Sequence, residues 1–242
     1  MRVKPIFQGY CAIVAFSCLG SIASKAFQLD PGPIKPIFSF LMIALGVTCI
    51  AIEMGNWKSV AFILGLGTAA EICSLATGFP FGRYHYTDQW IPTIPLWGNE
   101  RFPLLLPFAW VMIVGGAASL VQRKASGWWF VVATGLLCAA IDAPMERAMI
   151  DVFRYWTWVD VGPVFGAPIV NSLGWFGVAA VAAIPLKKGA PDQSGQYSSK
   201  VVAVFCGFVA ICGWLDHFSV AWLLLIAIGA TMFFNERMLD KT

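Results

Sequence analysis

The chain has 242 residues, of which 59% are apolar and only 12% charged, and its mean hydropathy is +0.74. Soluble domains carry about 25% charged residues, so this chain lacks the polar surface to stay dissolved and belongs in a bilayer. The net charge of +3 is dispersed, and no block of Lys and Arg interleaved with aromatics marks a nucleic-acid surface.

A helix needs about 20 apolar residues to cross a hydrocarbon core of about 30 Å. Candidate spans fall at 7–27, 34–53, 58–77, 102–122, 127–149, 167–186, 200–216 and 218–235. The expected fold is an all-α, polytopic membrane bundle of about eight helices, with one domain over 1–242. Only Leu215, Asp216 and His217 join the last two spans, so seven is the alternative count. The first span also has signal-peptide features: Arg2 and Lys4 precede it, and small residues lie near Ala23 and Ala26.

With the N-terminus inside and eight spans, Arg2, Lys4, Lys58, Arg123, Lys124, Lys187, Lys188, Lys200, Arg237 and Lys241 face the cytoplasm. That is ten of the sixteen Lys and Arg, a moderate positive-inside bias. Both termini are then cytoplasmic, and the expected location is the cell (inner) membrane. Asp30, Asp88, Glu100, Asp142, Glu146, Asp151, Asp160 and Asp216 gather at the outer side. The long connections 78–101 and 150–166 share that outer face, and 188–199 reads as a flexible inner linker. Cys11, Cys18, Cys49, Cys73, Cys138, Cys206 and Cys212 all lie in apolar runs without a C-x-x-C pair, and read as small core residues.

Polar groups inside a bilayer are expensive and therefore functional candidates. Glu71 lies within the third span. Asp142 and Glu146 are four apart, so one helix face presents both. Two close acids in a low-dielectric site oppose each other's ionisation. Arg147 is an alternative partner for either, and Pro144 is expected to bend the helix. The structural alternatives are an acid bonded to a neighbouring helix and a salt-bridged helix end.

The connection Gly78-Phe79-Pro80-Phe81-Gly82-Arg83-Tyr84-His85-Tyr86-Thr87 is too aromatic for an ordinary exposed loop and reads as a cap or re-entrant segment. An interfacial aromatic belt explains its tyrosines better than Arg83 and His85. Tyr155-Trp156-Thr157-Trp158 leads through Phe165-Gly166-Ala167-Pro168 to Asn171 and Trp175, which are again four apart. A buried Asn needs partners, and an acid across the helix interface is a natural one. Asp216 and His217 form a further polar pair, equally well read as a helix-capping turn. There is no phosphate-binding, dinucleotide or zinc-protease motif. Asp142 to Glu146 stands alone, without the paired acid clusters a prenyltransferase needs for magnesium and diphosphate. Two His cannot build a membrane di-iron centre, and neither a metal site nor a redox cofactor is expected.

These runs, in this order around an intramembrane acid, resemble the carotenoid-biosynthesis membrane protein family over roughly residues 40–235. Its members include γ-carotene 1′-hydratases and bisanhydrobacterioruberin hydratases. The resemblance implies cofactor-free addition of water across a terminal C=C of an acyclic or monocyclic carotenoid, lycopene-like or γ-carotene-like, drawn from membrane lipid. Hydration needs an acid that keeps its proton at working pH. Asp142 is the first candidate donor, then Glu71, with Glu146 completing the catalytic set. Phe79, Phe81, Tyr84, Trp156 and Trp158 offer aromatic faces to a carbocation, and Asn171 is placed to orient water. Arg83, His85, Tyr86 and Trp175 complete the candidate substrate-binding set.

The competing readings are a proton- or solute-coupled transporter, in which the acids relay protons, and a non-catalytic pathway partner. Clear inverted repeats, which would favour a transporter, are not visible. A retinal-type pigment protein is disfavoured because the last spans carry no mid-helix Lys.

Overall fold

The computed structural model describes residues 3–29, 32, 34–187 and 196–234. Arg2, Asp30, Lys188, Arg237, Lys241 and most of the expected inner linker lie outside the described residues. Residues 196–199, expected in that linker, already belong to a helix.

Eight α-helices are present among the described residues: α1 (Val3–Phe27), α2 (Ile34–Met54), α3 (Trp57–Thr77), α4 (Leu106–Val121), α5 (Gly127–Arg147), α6 (Ile169–Ala183), α7 (Gln196–Asp216) and α8 (Val220–Phe234). The expected all-α membrane bundle is therefore observed. Six helices, counting the short extensions of α5 and α6, are long and apolar enough to cross a membrane; α4 and α8 are shorter. The last two candidate spans are separate helices, so the described residues hold eight helices rather than seven. Apolar side chains such as Phe40, Leu136 and Leu173 project outward from the bundle, as a lipid-facing surface requires.

α4 has only 16 residues, about 24 Å at 1.5 Å per residue. Twelve of them are buried, so α4 is the central post of the bundle and meets protein rather than lipid. A buried helix need not match the bilayer thickness, because its ends are satisfied by protein. The expected span began at residue 102, but Arg101–Pro103 form a strand and Pro107 starts the helix instead. Pro tolerates a first turn because its missing N–H would be unpaired there anyway.

Gly115 and Gly116 let α4 sit close to two neighbours. A Cβ on Gly115 would fall 2.4 Å from Ile50 Cγ2 of α2, and one on Gly116 would fall 2.2 Å from Val202 Cγ2 of α7 and 2.9 Å from the Ser198 carbonyl oxygen. Small residues at membrane helix crossings serve this purpose. Gly116→Val is therefore expected to force α4 and α7 apart, at a cost of about 1–3 kcal/mol from overpacking. The check is the thermal midpoint of detergent-solubilised protein; a midpoint equal to wild type would refute the close-packing argument.

The connections expected on the outer face contain four short strands. β1 (Tyr84–Tyr86) pairs antiparallel with β4 (Trp156–Trp158), and β2 (Thr93–Pro95) pairs with β3 (Arg101–Pro103). The two long connections thus meet on one face. They form small sheets rather than a simple cap, an arrangement the helix-only expectation did not contain. α5 runs through Pro144 to Arg147 and widens into a π-turn over Ala148–Val152. α6 ends in a 3-10 turn over Ile184–Leu186. All seven cysteines are free thiols; Cys49, Cys138, Cys206 and Cys212 are buried, whereas Cys73 is exposed and is no core residue.

Candidate active site beneath a two-stranded sheet

Gly67, Glu71 and Ser74 lie on the buried face of α3 at helical spacing. α3 stops at Gly78, whose φ of 82° closes the helix in the left-handed conformation. Ser74 then holds the next turn: its hydroxyl donates to the Gly82 carbonyl at 3.1 Å and accepts from the Phe81 amide at 3.3 Å. This turn aims β1 back over Glu71.

In β1 successive side chains point to opposite faces. Tyr84 and Tyr86 are buried, whereas His85 points out. Both tyrosine hydroxyls donate to Glu71 Oε2, Tyr86 at 2.9 Å and Tyr84 by a shorter contact. Trp110 of α4 donates its Nε1–H to Oε1 at 2.9 Å. Gly67 makes room for that indole, since a Cβ there would lie 2.6 Å from Trp110 Cγ. Burial, followed by the charge of Glu71, pushes both phenols well above their ordinary range, so they remain protonated donors.

The second acid group sits across the same sheet. Asp142 and Glu146 are only 1% and 2% exposed, on one face of α5. The amide of Asn171, in the first turn of α6, bridges them through Nδ2: 2.8 Å to Asp142 Oδ2 and 2.9 Å to Glu146 Oε1. The two acids therefore share a partner in space. Glu146 Oε2 also accepts the indole N–H groups of Trp156 at 3.0 Å and Trp158 at 2.9 Å. The period-2 logic recurs here, with Trp156 and Trp158 turned inward from β4 while Thr157 is exposed. Glu71 lies within electrostatic reach of both Asp142 and Glu146.

The register Tyr84↔Trp158 and Tyr86↔Trp156 stacks the donors of one acid group against those of the other. Tyr84 meets Trp158 edge-on with ring centroids 5.0 Å apart, and Tyr86 meets Trp156 at 6.1 Å. A two-stranded sheet thus hangs four aromatic rings into the bundle, and each ring hydrogen-bonds a carboxyl group. A protein-family scan matches residues 32–235 to the carotenoid biosynthesis protein family. The chain belongs to that family. No curated protein and no solved structure gave a match.

A mostly apolar chamber adjoins this cluster. A cavity of about 450 Å³ opens between α1, α2, α4 and α7, beside the acid groups. Trp110, Trp156 and Trp175 form its wall toward the acid groups, and Trp90 and Tyr155 line it as well. Trp110 stacks on Trp175 with centroids 4.0 Å apart. Two of the wall indoles are thus donors to the acids, Trp110 to Glu71 and Trp156 to Glu146. The carboxyl groups stand behind this wall and do not line the cavity. The family match begins at residue 32, after α1, so the α1 wall of the chamber lies outside the matched region.

The structure gathers Glu71, Asp142, Glu146, Tyr84, Tyr86, Trp156, Trp158 and Asn171 into one cluster, with Phe81 and Trp175 packed beside it. Three candidates lie elsewhere. Phe79 is 71% exposed. Arg83 is on the surface, where its Nε and Nη2 bind the two carboxylate oxygens of Asp160, each at 3.1 Å. His85 is exposed and meets Glu100 at 2.6 Å. Arg147 is no partner of either acid on its own helix: it pairs with Asp151 at 2.7 Å and reaches His217 at 3.4 Å. Sequence reasoning missed Trp110. Its signal was a buried N–H donor in a helix whose only other polar side chain is Ser119, and such a donor must find an acceptor. Among the described residues, no three His, Cys, Asp or Glu side chains converge on a possible metal position.

Proposed function

We propose that the protein is a carotenoid hydratase that adds water across the terminal C=C of an acyclic carotenoid end. The carrying observation is the unequal hydrogen bonding of the bridged pair. Glu146 accepts three N–H donors, an environment made for a carboxylate. Asp142 accepts one, from Asn171, which leaves Oδ1 to carry a proton. In this reading Asp142 is the general acid and Glu146 the fixed charge beside it.

That assignment sets the order of steps. The Asp142 O–H bond breaks as a C–H bond forms at the terminal double bond, leaving a tertiary cation. The indole faces of Trp156 and Trp175 stabilise that cation. The oxygen of a water molecule bonds to the cation, and its surplus proton returns to Asp142, restoring the acid. The sum is alkene plus water giving a tertiary alcohol, with no electron transfer. The acids stand behind the indole wall, so the alkene reaches Asp142 only when that wall opens. Until then the wall keeps bulk water from the acids.

Glu71 has a positioning role here, holding Tyr84, Tyr86 and Trp110 and thereby the roof of the site. The test is expression in a lycopene-accumulating bacterium, with extracted pigments analysed by mass. Wild type is expected to add one water per reacted end. Glu71→Gln is expected to lower the yield roughly 10-fold, because an NH₂ group must then face N–H and O–H donors. Unchanged pigment from folded wild-type protein, with γ-carotene as well as lycopene, would refute the hydratase reading.

A further inference from the structure

The chamber has a direction and a length. On α1 its lining runs from Phe16 to Lys25, on α2 from Ile34 to Ile43, and on α7 from Phe205 to Asp216. At 1.5 Å per residue these stretches cover about 14–17 Å, roughly half of a hydrocarbon core of about 30 Å. The chamber therefore occupies only the outer half of the bundle. Its outer end is polar, where Lys25 pairs with Asp216 at 3.3 Å. Its inner wall is the aromatic face that carries the acid donors.

The chamber also communicates with lipid. Phe16 and Ile34 line it and yet are 57% and 56% exposed. They belong to neighbouring helices, so the open side is the seam between α1 and α2. Phe16 and Phe38 stack across this seam, with centroids 4.9 Å apart and rings within 15° of parallel. Two aromatic side chains across a helix seam can part without breaking a backbone hydrogen bond. The lining is mostly apolar, with Ser17, Ser21, Ser24, Lys35 and Ser39 as further polar side chains, and a ligand from the bilayer reaches it sideways without crossing water.

We propose that this chamber binds the terminal half of a linear polyene, admitted sideways through the α1–α2 seam closed by Phe16 and Phe38. The inference rests on the hydratase reading for the identity of the ligand as a polyene. A polyene long enough to span the bilayer core places one end against Trp110, Trp156 and Trp175. Its other half leaves through the seam and stays in lipid. Recognition is therefore of one end at a time, and the chemistry of the far end is not read. α1, the helix outside the family match, supplies the wall that makes the chamber selective.

Gly20 offers a clean test. It lines the chamber at an exposed position, and a Cβ there meets no atom within 4 Å, so a larger side chain occupies the chamber's rim without striking the protein. Gly65 on α3 is equally open but lies away from the chamber. Lycopene is achiral, so its circular dichroism in phosphatidylcholine nanodiscs reports a chiral binding site. Wild type and Asp142→Asn are expected to show the induced signal. Gly20→Phe is expected to weaken binding at least about 10-fold, and Gly20→Leu by less, while Gly65→Phe binds like wild type. Thermal midpoints confirm that each variant is folded.

Undiminished binding by Gly20→Phe, or no induced signal from wild type, overturns the chamber as the polyene site. Pigment hydration separates this proposal from the one it rests on. Hydration by wild type that Gly20→Phe matches would sink the chamber and leave the hydratase. Binding that Gly20→Phe abolishes, in a protein that hydrates nothing, would uphold the chamber and sink the hydratase.

Discussion

Asp142→Asn is expected to leave the carotenoid pool of a lycopene-producing host without hydrated product. General acid catalysis contributes about 10²–10⁴-fold, and the amide that replaces Asp142 cannot deliver a proton to an alkene. The substitution is nearly isosteric, and its carbonyl oxygen can still accept the Asn171 Nδ2–H now found at 2.8 Å. The fold should therefore survive, with a thermal midpoint close to wild type. That combination separates a catalytic loss from a structural one. Asp142→Glu is expected to recover part of the activity, since it restores the acid with its reach altered by one methylene. Hydration by Asp142→Asn above about one-tenth of the wild-type yield would remove Asp142 from the role of proton donor and direct attention to Glu71.

Asn171→Leu is expected to lose activity and stability together. Leucine has a similar volume but no N–H, so Asp142 and Glu146 lose the donor that bridges them at 2.8 and 2.9 Å. Interhelical hydrogen bonds in membrane proteins average about 0.6 kcal/mol and reach about 1.7 kcal/mol. Two such bonds, both to buried carboxyl groups, place the loss at about 1–3 kcal/mol. Without the bridge the acids also lose the geometry that distinguishes donor from fixed charge. Product yield should fall at least about 10-fold, and the midpoint of unfolding in detergent should fall with it. Full activity at an unchanged midpoint would show that the bridge holds neither the site nor the helices.

The helical frame was legible in the chain because bilayer thickness imposes a length on apolar runs, and eight runs became eight helices. The intramembrane acids were legible for the same reason: Glu71 and Asp142 stand out against hydrocarbon. The donors were only partly legible. Tyr84-His85-Tyr86 and Trp156-Thr157-Trp158 carry a period of two, which marks strands, but three residues are too few to show which strand pairs with which. Phe79, Arg83 and His85 were grouped with Tyr84 and Tyr86 by nearness in sequence. The turn at Gly78–Gly82 and the alternation of β1 put them on the other side. Trp110 was hidden because an indole in an apolar helix reads as bulk. The chamber was illegible altogether, since residues as distant in the chain as Phe16, Trp110, Met145 and Phe205 meet around it only in the fold.

The Asn171 bridge also bears on how the protein enters the membrane. α5 has the lowest hydropathy of the six long spans, 1.5 against 1.7–2.2 for the others. A carboxylate costs about 2.5–3.5 kcal/mol at the centre of a lone helix and less toward its end, where Asp142 and Glu146 lie. Every side-chain donor to Asp142 and Glu146, from residues 156, 158 and 171, is synthesised after them. α5 therefore emerges from the ribosome with its two acids unsatisfied, and becomes a comfortable membrane segment only when β4 and α6 arrive. The acids of α5 thus gain their partners only with β4 and α6, and α5 and α6 are best regarded as a pair completed together in the bilayer.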